Sequence, residues 1–394
     1  MRKKQKNKAN LINKPSALKA LLGKRITIGD YYDYPLLFCI GILMAIGVVM
    51  VYSASLYAHN TSFLKKQMLF AVGGFGIITV LSLIIDYKVL NKKRVWMASW
   101  IIGAGSCLFV FLLDKAVNGA SRWFRIFGVS IQPSEFAKIF TIIAMAYVLS
   151  TRSHQLNKLL PSLLCTISAI PIIMAVYFND LSTSLVIIAI VAVMLFTISE
   201  VPFQLIFTAL GTIPVFGIYM FLHKIFGSSD TGYRIGRFKI WMDPFAAGDL
   251  GRQIRYSMYS IATGGFFGKG FGQGMAKLGL SEAYNDTIFS VICEELGVFG
   301  AIALLAVYVI LIWRIIRIAV NAPDLFASLL CIGVAVHVSI QVLFHIGVCT
   351  NFFPNTGMTL PFVSYGGSSM LALCIELGLV LAVSRLIGVK KQEA

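Results

Sequence analysis

The chain has 394 residues, of which 58% are hydrophobic and only 13% charged, with a mean hydropathy of +0.81. A soluble domain is about half apolar and about a quarter charged, so a soluble globular fold is excluded. The formal net charge of +17 does not indicate nucleic acid at this hydropathy, because Lys and Arg of membrane proteins collect on cytoplasmic loops.

The expected fold is all-α: a polytopic transmembrane bundle of about ten spans with a large extracytoplasmic loop. A hydrocarbon core about 30 Å thick takes roughly 20 apolar residues per helix. Residues 1–33 form a basic tail (Arg2, Lys3, Lys4, Lys6, Lys8 and onward) with no cleavage signal after the first apolar run. Residues 34–394 read as one membrane domain. The spans are expected at about 35–55, 67–86, 95–113, 133–150, 161–178, 181–198, 203–226, 286–313, 324–347 and 362–388. Pro133 suits the first turn of the fourth, where its missing N–H costs nothing. The seven cysteines show no CxxC spacing and read as small buried apolar residues, with neither disulfide nor metal expected.

Charge sets the orientation. The short loops on the side of the N-terminus carry Lys88, Lys92, Lys93, Arg94, Arg152, Lys158, Arg314, Arg317 and Arg385. By the positive-inside rule both termini are cytoplasmic and the long loop, about 227–285, lies outside. The outer loops are nevertheless basic, which points to an anionic ligand there. No internal repeat is visible, which weighs against an inverted-repeat transporter.

Candidate chemistry collects in these outer segments. In 118–140, Arg122 is a guanidinium suited to phosphate, and Trp123 suits a sugar face or the membrane interface. Gln132, Pro133, Ser134, Glu135 and Lys138 open a helix. Glu135 and Lys138 share a face and can pair; ionisable groups at this depth are functional candidates, the alternative being a salt bridge that sets the helix position. Asn179 and Asp180 start the sixth span, with Asp180 read as a structural cap. The run Gly264-Gly265, Gly268, Gly270, Gly272, Gly274 lacks a strand and a GKS or GKT signature, so it is no nucleotide loop. It reads as a flexible loop whose backbone approaches a neighbour or substrate closely. Asp286 stands at the start of the eighth span, either as an N-cap or as a base beside a cationic pocket. Glu294 and Glu295 lie further along that helix as structural or pathway residues. Ser364 and Tyr365 belong to a polar, glycine-broken cluster before the last span. His337 and His345 lack partner ligands in the sequence and read as packing residues.

Three ordered stretches carry a resemblance. GASRWF with GVSIQPSEFAKI, YSMYSIATGGFFGKGFGQG running into NDTIFSVICEELGVFG, and NTGMTLPFVSYGGSSM resemble the signatures of the SEDS family, that of FtsW, RodA and SpoVE, from about residue 35 to 388. VMVYSAS and DLSTSLVI look most like the FtsW branch. The resemblance implies a peptidoglycan glycosyltransferase of the plasma membrane. It would polymerise lipid II, an undecaprenyl-pyrophosphate-linked precursor, into glycan strands during cell division or cell-wall synthesis. Implied partners are a class B penicillin-binding protein, divisome proteins and membrane lipids, with no nucleic acid. The family's essential loop Asp matches Asp286, as catalytic base or as ligand of a divalent Mg or Mn ion. Its cationic and polar positions match Arg122, Gln132, Glu135 and Lys138 as substrate-binding residues, with Ser364 and Tyr365. The chain departs from the family pattern at Leu280-Ser281-Glu282-Ala283, at Thr287 and at Asn179-Asp180-Leu181-Ser182. Two other functions remain open at this point: a lipid II flippase using Lys138, Glu294 and Glu295, and a non-enzymatic divisome scaffold acting through the basic tail.

Overall fold

The structure is a computed structural model, and it describes residues 32–56, 62–117, 123–126, 129–156, 159–198, 240–280 and 283–392. The expected seventh span, 203–226, the basic tail to residue 31 and Arg122 lie outside these residues. Helix α1 is Tyr34–Ser55 and α2 is Ser62–Ile84. A short turn leads to α3, Lys93–Val117. A small hairpin follows, β1 Phe124–Ile126 antiparallel to β2 Val129–Ile131, with Phe124 opposite Ile131. Then come α4 Pro133–Arg152, α5 Leu159–Asn179 and α6 Leu181–Ile198. After the undescribed segment the helices are α7 Arg252–Thr263, α8 Ile288–Asn321, α9 Leu325–Cys349 and α10 Gly367–Gln392.

Seven helices among the described residues are long and apolar enough to cross a membrane: α1, α2, α4, α6, α8, α9 and α10. Their interiors pack into one apolar core that draws on nearly every long helix. Helix α2 is the least enclosed, with 22% of its apolar window buried, and so presents most of its surface outward. All seven cysteines are buried, as expected of small apolar residues.

Local chemistry sets the helix ends. Asp33 caps α1 by accepting from the Leu36 N–H at 3.0 Å. The same carboxylate receives Arg314 in a bidentate pair, at 3.0 and 2.8 Å, so one acid ties α1 to the far end of α8. Asp324 caps α9 through the Ala327 N–H and also takes the Tyr87 hydroxyl at 2.8 Å. Burial and that acid push the Tyr87 phenol well above its ordinary range.

Helix α8 differs most from expectation. It has 34 residues and ends at Asn321, beyond the boundary near 313. Gly297 interrupts it with φ +69°, a left-handed value that favours glycine. The break separates a short first segment from a second one long enough to span by itself.

The candidate active site at one end of the bundle

A cavity of about 810 Å³ opens between α2, α4, α6, α9 and the loops around 284 and 357–367. Gln132, Glu135 and Lys138 line it from α4. Lys138 Nζ lies 3.0 Å from Glu135 Oε2, so the i,i+3 pairing expected from the sequence is present. Both are nearly enclosed, at 3% and 8% exposure. At that depth Glu135 offsets the cost of holding an ammonium away from water.

Asp180 lines the opposite wall. It accepts from the Ser182 N–H and the Thr183 hydroxyl, each at 3.0 Å, and from Gln132 Nε2 at 3.4 Å. The cap at the start of α6 is therefore also a strut between α4 and α6.

Asn285 and Tyr284 form the rim. Asp286 follows directly and is half-buried. Gly357, itself in the wall, lies so near that an added Cβ would stand 3.5 Å from Asp286 Oδ2. The N-cap of α8 is Thr287, with Ile288 as the first helical residue. Asp286 thus sits one position before the cap, which corrects the N-cap expectation, and its carboxylate lies against Gly357 of the cavity wall.

Tyr365 lines the cavity, packs edge-on to Phe63 and Tyr284, and donates its backbone N–H to Tyr284 O at 2.9 Å. Burial raises its phenol above the ordinary range, so it remains a proton donor. Ser364 is placed differently. It is buried behind the wall, accepts from the Leu360 N–H at 2.8 Å and donates to Asn285 O at 2.7 Å. Its hydroxyl fixes the peptide beside Asp286 instead of facing the cavity. Trp123 lines the mouth at 45% exposure.

Glu294 and Glu295 lie outside the cavity lining. Glu294 accepts from Lys269 Nζ at 2.7 Å and the Met275 N–H at 2.9 Å. Glu295 meets Lys277 Nζ at 2.7 Å, Ser53 Oγ at 2.7 Å and the Gly272 N–H at 3.1 Å. The Lys269 and Gly270 N–H groups bond to the carbonyls of Glu294 and Glu295, while those of Val298 and Phe299 bond back to Gly265 and Phe266. The expected close approach to a neighbour is present: a Cβ on Gly264 or Gly268 would collide with the Cys293 or Glu295 carbonyl. The expected flexibility is corrected, because this loop is pinned at both ends of the break in α8.

Other partners are far apart in sequence. His337 Nδ1 lies 2.6 Å from Glu376 Oε2, with both side chains enclosed. His345 Nδ1 lies 2.8 Å from Met358 O. Each histidine therefore has a partner. Among the described residues no three His, Cys, Asp or Glu side chains gather as a metal site.

The sequence reading missed Lys66 and Phe63, which line the cavity from α2. Starting that span near 67 left them outside it. The available signal was a pair of lysines at the head of an apolar run on the expected outer side.

The profile of the FtsW/RodA/SpoVE family, described as a cell cycle protein, matches residues 34–387. The chain belongs to this family. It is 35% identical over 90% of its length to the probable peptidoglycan glycosyltransferase FtsW of Trichlorobacter lovleyi, covering 93% of that protein. It is 36% identical to the stage V sporulation protein E of Bacillus subtilis, over 87% of this chain and 94% of that one. Among solved structures, it superposes with a TM-score of 0.71 on a chain from "Structural coordination of polymerization and crosslinking by a peptidoglycan synthase complex". The identity there is 26%, over 90% of this chain and 98% of the other. The Thermus thermophilus rod shape determining protein RodA matches with a TM-score of 0.59 at 26% identity, over 90% and 97% of the two chains. This member of the FtsW/RodA/SpoVE family is a multi-pass, mainly helical membrane protein.

Proposed function

We propose that this chain is a peptidoglycan glycosyltransferase that polymerises lipid II at the outer face of the plasma membrane. One observation carries the reading. A carboxylate, Asp286, stands next to Asn285 and Gly357 in the wall of a cavity that holds a buried lysine and is enclosed by membrane-length helices. That placement suits a substrate with its lipid in the bilayer and its polar head at the surface. The relatives named as peptidoglycan glycosyltransferases support it.

In this reading Asp286 takes the proton from the acceptor sugar hydroxyl. The hydroxyl oxygen attacks the anomeric carbon of the donor, the bond from that carbon to the pyrophosphate oxygen breaks, and the lipid pyrophosphate leaves. Lys138 and Arg122 stabilise the charge that builds on the leaving group. Glu135 orients Lys138, Gln132 orients the wall, Tyr365 donates to the substrate, and Ser364 holds the Asn285 peptide in place. A divalent Mg or Mn ion would find one protein carboxylate beside the cavity wall, Asp286, the remainder of its shell coming from phosphate and water, a common mode for Mg²⁺. When bound it would supply positive charge to the phosphates.

Both termini are cytoplasmic and the chain spans the bilayer ten times. It works with a class B penicillin-binding protein, a reading supported by the neighbour from a complex that couples polymerization and crosslinking. The pairing of Glu294 and Glu295 with Lys269 and Lys277 speaks against a flippase route through them.

The test is glycan-strand formation from purified lipid II by the chain with its cognate penicillin-binding protein, wild type against Asp286→Asn. Polymer from the wild type alone is expected. Polymer from both would remove Asp286 as base, and none from either with the complex intact would remove the enzyme.

A further inference from the structure

Behind the cavity wall lies a second acid–base pair that the reaction does not use. His337 on α9 and Glu376 on α10 meet at 2.6 Å, with side chains 0% and 1% exposed. Neither lines the cavity. Each lies on a helix face that does: His337 is one turn from Gln341, and Glu376 is two turns from Ser369. Gln341 Nε2 donates to the Thr359 hydroxyl at 3.2 Å, and that hydroxyl lies 2.9 Å from the Ser369 hydroxyl. Glu135, the partner of Lys138, lies beside Ser369 and within electrostatic reach of His337.

Two acids and two bases therefore share one enclosed space. Glu135 and Lys138 cancel each other. Glu376 is cancelled only when the dyad holds one further proton, as imidazolium with carboxylate or as imidazole with carboxylic acid. Without that proton the dyad is a buried negative charge, which is costly away from water. No other described cation faces it. Helix α6 has no ionisable side chain, with Asp180 at its head, and α2 carries charge only at Lys65 and Lys66, near its start. On α8, Tyr308 donates to Pro361 O, Arg314 pairs with Asp33, and Arg317 stacks on Trp313. Glu294 and Glu295 are paired with lysines of the glycine-rich loop. Helix α7 meets α9 at Cys349, and His345 on α9 is held by Met358 O. His337 Nε2 and Glu376 Oε1 are buried without a hydrogen-bond partner among the described residues. No neighbouring protein group thus locks the dyad in one protonation state.

We propose that the His337–Glu376 dyad is a proton site coupled to anion binding at Lys138, taking up a proton from solvent when a phosphate enters the cavity. The added proton offsets the negative charge brought in beside Glu135. This coupling rests on the role proposed above for Lys138 and adds the groups that balance its charge. His337 and Glu376 are positioning residues, since neither touches the substrate. The sign follows from linkage. The anion binds the protonated dyad better, so affinity is highest at low pH and falls as pH rises through the titration of the dyad.

The test uses the full chain in lipid nanodiscs and a dialkyl phosphate, an anion with no titration of its own near neutral pH. Calorimetry in two buffers of different ionisation enthalpy counts the protons taken up on binding. Wild type is expected to take up part of one proton, and its affinity to fall by up to about tenfold per unit rise in pH. The double variant His337→Gln with Glu376→Gln leaves no unpaired charge and keeps two side chains that can hydrogen-bond to each other. It should unfold near the wild-type temperature, bind without proton uptake and show no pH dependence. His345→Gln, at a histidine outside the dyad, should retain the uptake. Equal uptake in wild type and the double variant, no uptake in wild type, or no binding by wild type overturns the coupling. Uptake as expected in a chain that cannot polymerise lipid II would instead overturn the parent reading and leave the coupling standing.

Discussion

Lys277 and Glu295 form an ion pair 2.7 Å long with both side chains fully enclosed, and it fastens the glycine-rich loop to the break in α8. Ser53 of α1 donates to the same carboxylate, so three segments meet at one acid. A buried pair of this kind gains little over an apolar replacement, but removing one partner is costly. Lys277→Met should therefore destabilise the protein by about 3–5 kcal/mol. The double variant Lys277→Met with Glu295→Met should recover much of that loss. Thermal unfolding in detergent reads both; equal losses in the single and double variants would show that the pair does not hold the loop.

The glycines of this loop are not equivalent. Gly268 (φ +76°) and Gly270 (φ +96°) both have left-handed backbone. At Gly270 an added Cβ meets only Gln273 Cγ at 3.7 Å, whereas at Gly268 it collides with the Glu295 carbonyl. Gly270→Ala should lose about 1–3 kcal/mol from backbone strain alone. Gly268→Ala should lose more, because the loop must also withdraw from α8. Similar unfolding midpoints for the two would contradict the close approach.

Asp286→Asn separates capping from chemistry. The cap of α8 is Thr287, so the variant should unfold at the wild-type temperature. Its polymerisation rate should fall by about 10²–10⁴-fold, the usual worth of a positioned base. A lower midpoint with a proportionate loss of activity would return Asp286 to a structural role.

Glu135 and Lys138 allow the same separation inside the cavity. Lys138→Met leaves a nearly enclosed carboxylate uncompensated and should cost about 3–5 kcal/mol. Adding Glu135→Gln should restore much of the stability, because the unpaired charge is gone. Polymerisation should stay low in the double variant, since the cation is still missing. Recovery of both stability and activity would assign the pair to holding α4 in place and nothing more.

Much of this protein was legible without a fold. Hydropathy marked the membrane helices because the bilayer demands a long apolar run for each crossing. The starts of α4 and α6 followed from Pro133 and Asp180, whose effects reach only a few residues. The Glu135–Lys138 pair followed from helical spacing. Asp286 was singled out as a carboxylate at the head of an apolar run, and the structure puts it beside Asn285, which lines the cavity.

What the sequence by itself determined is what depends on near neighbours: helix type, the registry of residues on one helix face, and caps at helix starts. Only the tertiary structure decided which distant groups meet. His337 and Glu376 are 39 residues apart and form one enclosed pair. Lys269 and Lys277 find Glu294 and Glu295 across a helix break that no local pattern announced. Ser364 turns behind the wall while Tyr365, its neighbour, faces the cavity. Lys66 joins the cavity because α2 packs against the loop carrying Tyr284. A polar group inside a membrane protein must find a partner or water, and only the packing of the helices selects which partner comes within reach.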